Sequence, residues 1–62
     1  MISFREARLR AGLSQEEAAK QIGVTAAAIS YWETGQYVPR TQKIRKVAQV
    51  YGVRVGDLLG DE

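Results

Sequence analysis

Apolar residues recur along this chain at helical spacing. Ile44, Val47, Ala48 and Tyr51 stand at i, i+3, i+4 and i+7. They share one face of a helix predicted from residue 40 or 41 to residue 51. Phe4, Ala7, Arg8 and Ala11 repeat that spacing in a first helix predicted over 2–11. A second helix over 14–22 buries Ala18, Ala19 and Ile22. A third begins at Thr25 and runs to 33 or 34. It groups Thr25, Ala28, Ile29 and Trp32 on one side and Ala27, Ser30, Tyr31 and Thr34 on the other, with Ala26 at the boundary. A last short turn over 55–59 can dock Leu58 and Leu59 on the core. No segment sustains the alternation of a half-buried strand. The fold class predicted is all-α, a compact arrangement of five helices.

The punctuation agrees with this division. Gly12, Gly23, Gly35 and Gly52 fall where the helices should end. Ser14 followed by Glu17 is the spacing of a capping box, in which the hydroxyl takes the Glu17 N–H and the carboxylate returns to Ser14. Thr25 is a suitable N-cap for the third helix. Residues 36–39, which include the sole proline, Pro39, read as a loop.

Composition narrows the classes of function. The 62 residues suit a single domain spanning 1–62, and 45 % hydrophobic with 26 % charged residues is a globular balance. There is no cysteine and no histidine. That removes disulfides, Cys/His zinc sites and Ser-His or Cys-His nucleophile pairs. Adjacent Glu16 and Glu17 make no acid/base pair, because Glu17 is used by the cap. Neither an enzyme nor a cofactor or metal is expected. The longest apolar run, Ala26 to Ile29, is too short to cross a membrane, and the N-terminal residues lack a signal-peptide core. A soluble, cytoplasmic protein is expected.

The net charge of +2 is modest, but its layout is uneven. Arg5, Arg8 and Arg10 lie near the start, and Arg40, Lys43, Arg45 and Lys46 are clustered. Asp57, Asp61 and Glu62 are gathered at the end. Clustered bases suit a polyanionic partner, although a solvated helix face has the same composition.

The stretch from Gln15 to Trp32 is the most specific. Two short helices crossing steeply over a tight turn need a small residue at the crossing, a residue tolerant of a left-handed backbone at the turn, and a branched apolar residue to close the angle. Ala19, Gly23 and Ile29 supply these in order, and Ala18, Ile22, Val24 and Trp32 fill the other inward positions. With Gly12-Leu13-Ser14-Gln15-Glu16-Glu17-x-Ala19 at its entry and Ile29-Ser30-x-Trp32-Glu33-x-Gly35 at its exit, the chain resembles the phage-repressor-like (Cro/repressor, XRE-type) helix-turn-helix family. Pro39, Ile44, Ala48, Gly52-Val53 and Leu58-Leu59 extend the resemblance over nearly the whole chain. The motif proper covers about 15–34. The family usually has Leu at the positions of Ala18 and, often, Ala7, a volume that Phe4 and Trp32 can fill. It favours a Ser cap where Arg40 stands, so the cap is expected to move to Thr41.

The resemblance implies sequence-specific binding to double-stranded DNA, with the recognition helix, about 25–34, in the major groove. Ala26, Ala27, Ser30 and Tyr31 are then the candidates for base contact. The alanine methyls could meet thymine methyls or simply allow close approach, and Tyr31 carries a hydroxyl able to reach a base edge. Phosphate contacts fall to Gln15 and Thr25 at two helix starts and to Gln36, Arg40 and Lys43 around the loop. Arg8 and Glu33 resemble the family's structural ion pair, while Trp32 belongs to the core. The implied role is a repressor-type transcriptional regulator, acting as a homodimer on DNA through Val53, Val55, Leu58 and Leu59. Two rivals remain: an antitoxin-like regulator that also binds a protein toxin, and a protein-interaction module that keeps the fold without DNA binding. The alanines at 26–28 suit the second rival, and the basic cluster suits DNA.

Overall fold

Each helix expected from spacing is present, most of them trimmed by their caps. The computed structural model describes residues 2–59, with Leu59 described by its backbone alone; Asp61 and Glu62, expected to extend the acidic end, lie outside the described residues. The elements are α1 (Phe4–Arg10), α2 (Gln15–Ile22), α3 (Ala26–Thr34), α4 (Thr41–Tyr51) and α5 (Val55–Leu59), with no strand among the described residues. α3 packs across α2, α4 lies against α2, α1 touches α3 and α4, and α5 closes on α4.

Local chemistry fixes the ends. Ser14 and Glu17 form the full capping box, with Glu17 N–H donating to Ser14 Oγ at 3.0 Å and Ser14 N–H to Glu17 Oε1 at 2.8 Å. α1 starts at Phe4 rather than at residue 2, because the Ser3 hydroxyl accepts the Glu6 N–H and caps it. Ala11 is correspondingly the C-cap and is exposed, not part of the buried face. The N-cap of α4 is Arg40, without a side-chain cap bond, so the cap does not move to Thr41. The chain start is tied to α5 by a bond from Ile2 N–H to the Asp57 carbonyl at 2.7 Å.

The core gathers Ala7, Ala18, Ile22, Ile29, Trp32, Ile44, Val47, Ala48, Tyr51 and Leu58 from all five helices. Ile29 and Val47 are fully buried, and each contributes about 2 kcal/mol by leaving water. Ala7 and Ala18 have no exposed surface, and the rings of Phe4 and Trp32 meet at 6.3 Å between centroids. Thr25 is exposed and Ala28 half-buried, so only Ile29 and Trp32 of the four inward residues of α3 are fully in the core. Tyr51 is buried, and its hydroxyl has no hydrogen-bond partner among the described residues.

The α2–α3 turn sets the angle on which the site depends. Gly23 ends α2 at φ 91°, and its N–H and that of Val24 both return to the Ala19 carbonyl, at 2.8 and 3.0 Å. A Cβ at Gly23 would meet nothing within 4 Å, so the need for glycine is conformational rather than steric. The chain then re-enters a helix at Thr25, whose hydroxyl accepts the Ala28 N–H at 3.1 Å.

Candidate nucleic-acid interface

The outer face of α3 is free of the core. Ala27, Tyr31 and Thr34 are exposed along it, while Ile29 and Trp32 anchor the opposite side. Ala26 is half-buried in the crook of the turn, beside Glu16, Ala19, Lys20 and Val24. Ser30 departs from the expected outward set. It is half-buried and lines a groove of about 300 Å³ with Arg5, Arg8, Gln15, Glu33 and Thr34.

One carboxylate organises that groove. Glu33 Oε2 accepts from Arg8 Nε at 2.6 Å, and Oε1 accepts from Arg8 Nη2 at 3.1 Å and from the Gln15 amide at 3.2 Å. Arg8 Nη1 also donates to the Leu13 carbonyl at 2.9 Å. Both charged side chains are less than a tenth exposed. The Arg8 guanidinium is held more firmly charged than usual, chiefly by its hydrogen bond to Glu33, with burial opposing. Arg8 thus spends its charge inside the protein. Gln15 is half-buried, with its NH₂ directed at Glu33.

The helix starts around this face differ in electrostatics. In α2 the first turn holds Glu16 and Glu17, and the Glu17 carboxylate is held below its ordinary range by its bond to the Ser14 backbone N–H and then by the Ser14 hydroxyl. That end already has its anion. α4 has no acidic residue in its first turn and no side-chain cap, and it opens with exposed Arg40 and half-buried Lys43. Cations at a helix N-terminus reinforce the dipole's positive end, a favourable setting for an anion. Neither Arg40 nor Lys43 has an acidic partner among the described residues, whereas Arg10 pairs with Glu6 at 2.8 Å. Thr25 is occupied as a cap, and Gln36 is exposed in the loop between α3 and α4.

Two features were not legible in the sequence. The Gln15–Glu33 bond joins residues from two helices and has no local signal. The other is Tyr37, whose ring meets Tyr31 edge-on at 5.2 Å and 81°. At the α5 end, Leu58 is buried in its own core and therefore offers no free surface. Val53 and Val55 are half-buried, and the Leu59 side chain lies outside the described residues. No group of three or more acidic residues among the described ones could hold a metal ion, and no helix among them is long and apolar enough to cross a membrane.

Residues 4–58 match the family described as Helix-turn-helix. The chain is similar to an HTH-type transcriptional regulator of Archaeoglobus fulgidus, with 41 % identity over 55 residues covering 89 % of this chain and 79 % of that protein. It is similar to the cryptic phage CTXphi transcriptional repressor RstR of Vibrio cholerae, with 35 % identity over 94 % of this chain and 52 % of the repressor. It is also similar to the HTH-type transcriptional activator BcrR of Enterococcus faecalis, with 35 % identity over 89 % of this chain and 28 % of the activator. The chain therefore spans about half of the one and little more than a quarter of the other. No solved structure matches it significantly.

Proposed function

The chain belongs to this helix-turn-helix family of transcriptional regulators, and from that membership we propose that it acts as a sequence-specific, repressor-type regulator on double-stranded DNA. The recognition helix, about residues 25–34, enters the major groove with its outer face toward the bases. The observation that carries this reading is the exposed outer face of α3, followed after one short loop by an α4 start that is cationic and has no side-chain cap. Tyr31 is the principal reader. Ala27, and Ala26 at the edge of the turn, meet thymine methyls or permit close approach, and Ser30 stands at the groove behind them. Arg40, Lys43 and Gln36 follow the phosphates, with Arg5 adding a cation from α1. Gln15 and Thr25 meet phosphates through the backbone N–H groups at their helix starts that the caps leave free, since the Gln15 NH₂ is directed at Glu33.

One recognition helix spans only a few base pairs, so two copies related by two-fold symmetry are proposed to bind an inverted repeat. Val53 and Val55 are the apolar surface for that contact. Few polar side chains face the bases from 26–28, which leaves part of the selectivity to DNA shape and deformability.

Selection of bound sites from random duplex DNA, read by sequencing, tests the reading. An enriched inverted repeat is expected. Each protomer should neutralise roughly three or four phosphates, so log K of the dimer should fall with log[salt] at a slope of about −5 to −7. Removing Arg40 or Lys43 should weaken good and poor sites alike and flatten the slope by about one unit for each phosphate that the dimer no longer neutralises. Absence of duplex binding even at low salt would sink this reading. The second reading, a protein-interaction module, would then stand on the three bare alanines at the head of α3.

A further inference from the structure

The Tyr31 carbonyl is a gathering point for the chain that follows it. Gln36 N–H donates to it at 3.0 Å, Tyr37 N–H at 3.4 Å, and the Thr34 hydroxyl at 3.3 Å. Gly35 turns the chain back at φ 83°, and Pro39 is buried just beyond. The loop is therefore fixed at both ends, and its backbone holds Tyr37 against the very residue proposed to read bases. Tyr37 is 61 % exposed and Tyr31 42 % exposed, so neither is there to fill the core. They meet edge-on at 5.2 Å, the geometry in which one ring's positive edge faces the other's negative face.

An exposed tyrosine on a helix samples more than one χ1 rotamer, and only one directs its hydroxyl at a given base edge. We propose that Tyr37 is a positioning residue that holds the Tyr31 ring in one orientation before DNA arrives, and so sharpens sequence selectivity without reading a base itself. The proposal rests on the reading of Tyr31 as a base contact. The gain comes from preorganisation: rotamer freedom is lost in the free protein rather than on binding. The helix supplies the position of the reader, and the loop supplies its direction.

The test uses the whole chain with Tyr37→Ala, Tyr37→Phe, Tyr31→Ala and the Tyr31→Ala/Tyr37→Ala pair. In the free protein, NMR couplings report the Tyr31 χ1 population. Tyr37→Ala should spread it over two or more rotamers, and Tyr37→Phe should keep it single, since the ring and not the hydroxyl makes the contact. On duplex DNA, Tyr37→Ala should cut discrimination at the base pair facing Tyr31 by about two- to tenfold, the range of an edge-to-face pair. It should leave the salt slope unchanged and add nothing once Tyr31 is alanine. A single Tyr31 rotamer surviving in Tyr37→Ala would overturn the proposal whatever the DNA result. So would a uniform loss on all sequences, which would make Tyr37 a direct backbone contact. If Tyr31→Ala itself keeps full discrimination, the reading of Tyr31 as the base contact fails, visibly and separately from the rotamer measurement, and the role of Tyr37 in selectivity falls with it.

Discussion

The two halves of α3 are built on opposite plans. The first half, Ala26 to Ala28, carries no polar side chain; the Thr25 cap is its one side-chain hydrogen bond, and Ala26 and Ala28 pack against the edge of the core. The second half carries Tyr31, Trp32, Glu33 and Thr34, and each of the four is engaged. Trp32 is in the core, Glu33 holds Arg8 and Gln15, Tyr31 meets Tyr37, and Thr34 bonds back to the Tyr31 carbonyl. In the proposed docking to the major groove, the helix needs a head slim enough to approach and a shaft rigid enough to aim. Here the two demands are met by different residues on one helix. Stability should therefore respond most to the residues engaged inside the protein, and site selection to the exposed residues of either half.

The largest expected effect is at the anchored end. Glu33→Ala leaves Arg8 nearly buried without its partner and releases Gln15, and should cost about 3 kcal/mol of stability. For a domain of this size that is a large share of the total. Urea denaturation reads it, and a loss below about 1 kcal/mol would remove Glu33 as the anchor. Next, Tyr31→Ala should leave stability almost unchanged but lower discrimination between good and poor sites by about 1–3 kcal/mol, measured by competition titration. Retention of the full preference would shift the reading to the slim end. Third, Thr25→Ala should cost about 1 kcal/mol, since the cap is the only side-chain hydrogen bond at that end. Its effect on the denaturation midpoint should be clearly smaller than that of Glu33→Ala. The smallest stability effect is expected for Ala27→Gln, within about 0.5 kcal/mol because the position is exposed and unengaged. Site selection should nonetheless return an altered consensus. An unchanged consensus would mean that the head of α3 does not face bases.

This division also explains what could be read from the sequence. The capping box, the glycine-ended helices and the face of α4 depend on residues within one turn of each other, and spacing alone specifies them. The helix ends of α1 did not follow spacing, because Ser3 caps it and Ala11 is spent in terminating it. The outward face of α3 was legible for Ala27 and Tyr31. It was not for Ser30, which the approach of α1 and α2 turns into a groove. Gln15 was legible as a helix-start residue, but its bond to Glu33 depends on where α3 passes. Tyr37 was invisible for the same reason: a loop residue's partner is decided by the path of the loop, and that path is set by Pro39 and the Tyr31 carbonyl.

The lone hydroxyl of Tyr51 gives the fold an alkaline limit. Burial, reinforced by the negative Glu33 and opposed by Arg8, pushes the phenol from its ordinary value near 10 up to about 12. Below pH 10 the group is neutral whether the chain is folded or not, and its burial contributes in full. Between pH 10 and about 12 the unfolded chain gives up this proton while the folded one retains it, so each step upward in pH favours unfolding. Denaturation midpoints followed through that interval should fall, and Tyr51→Phe, which has no proton to lose, should flatten the decline.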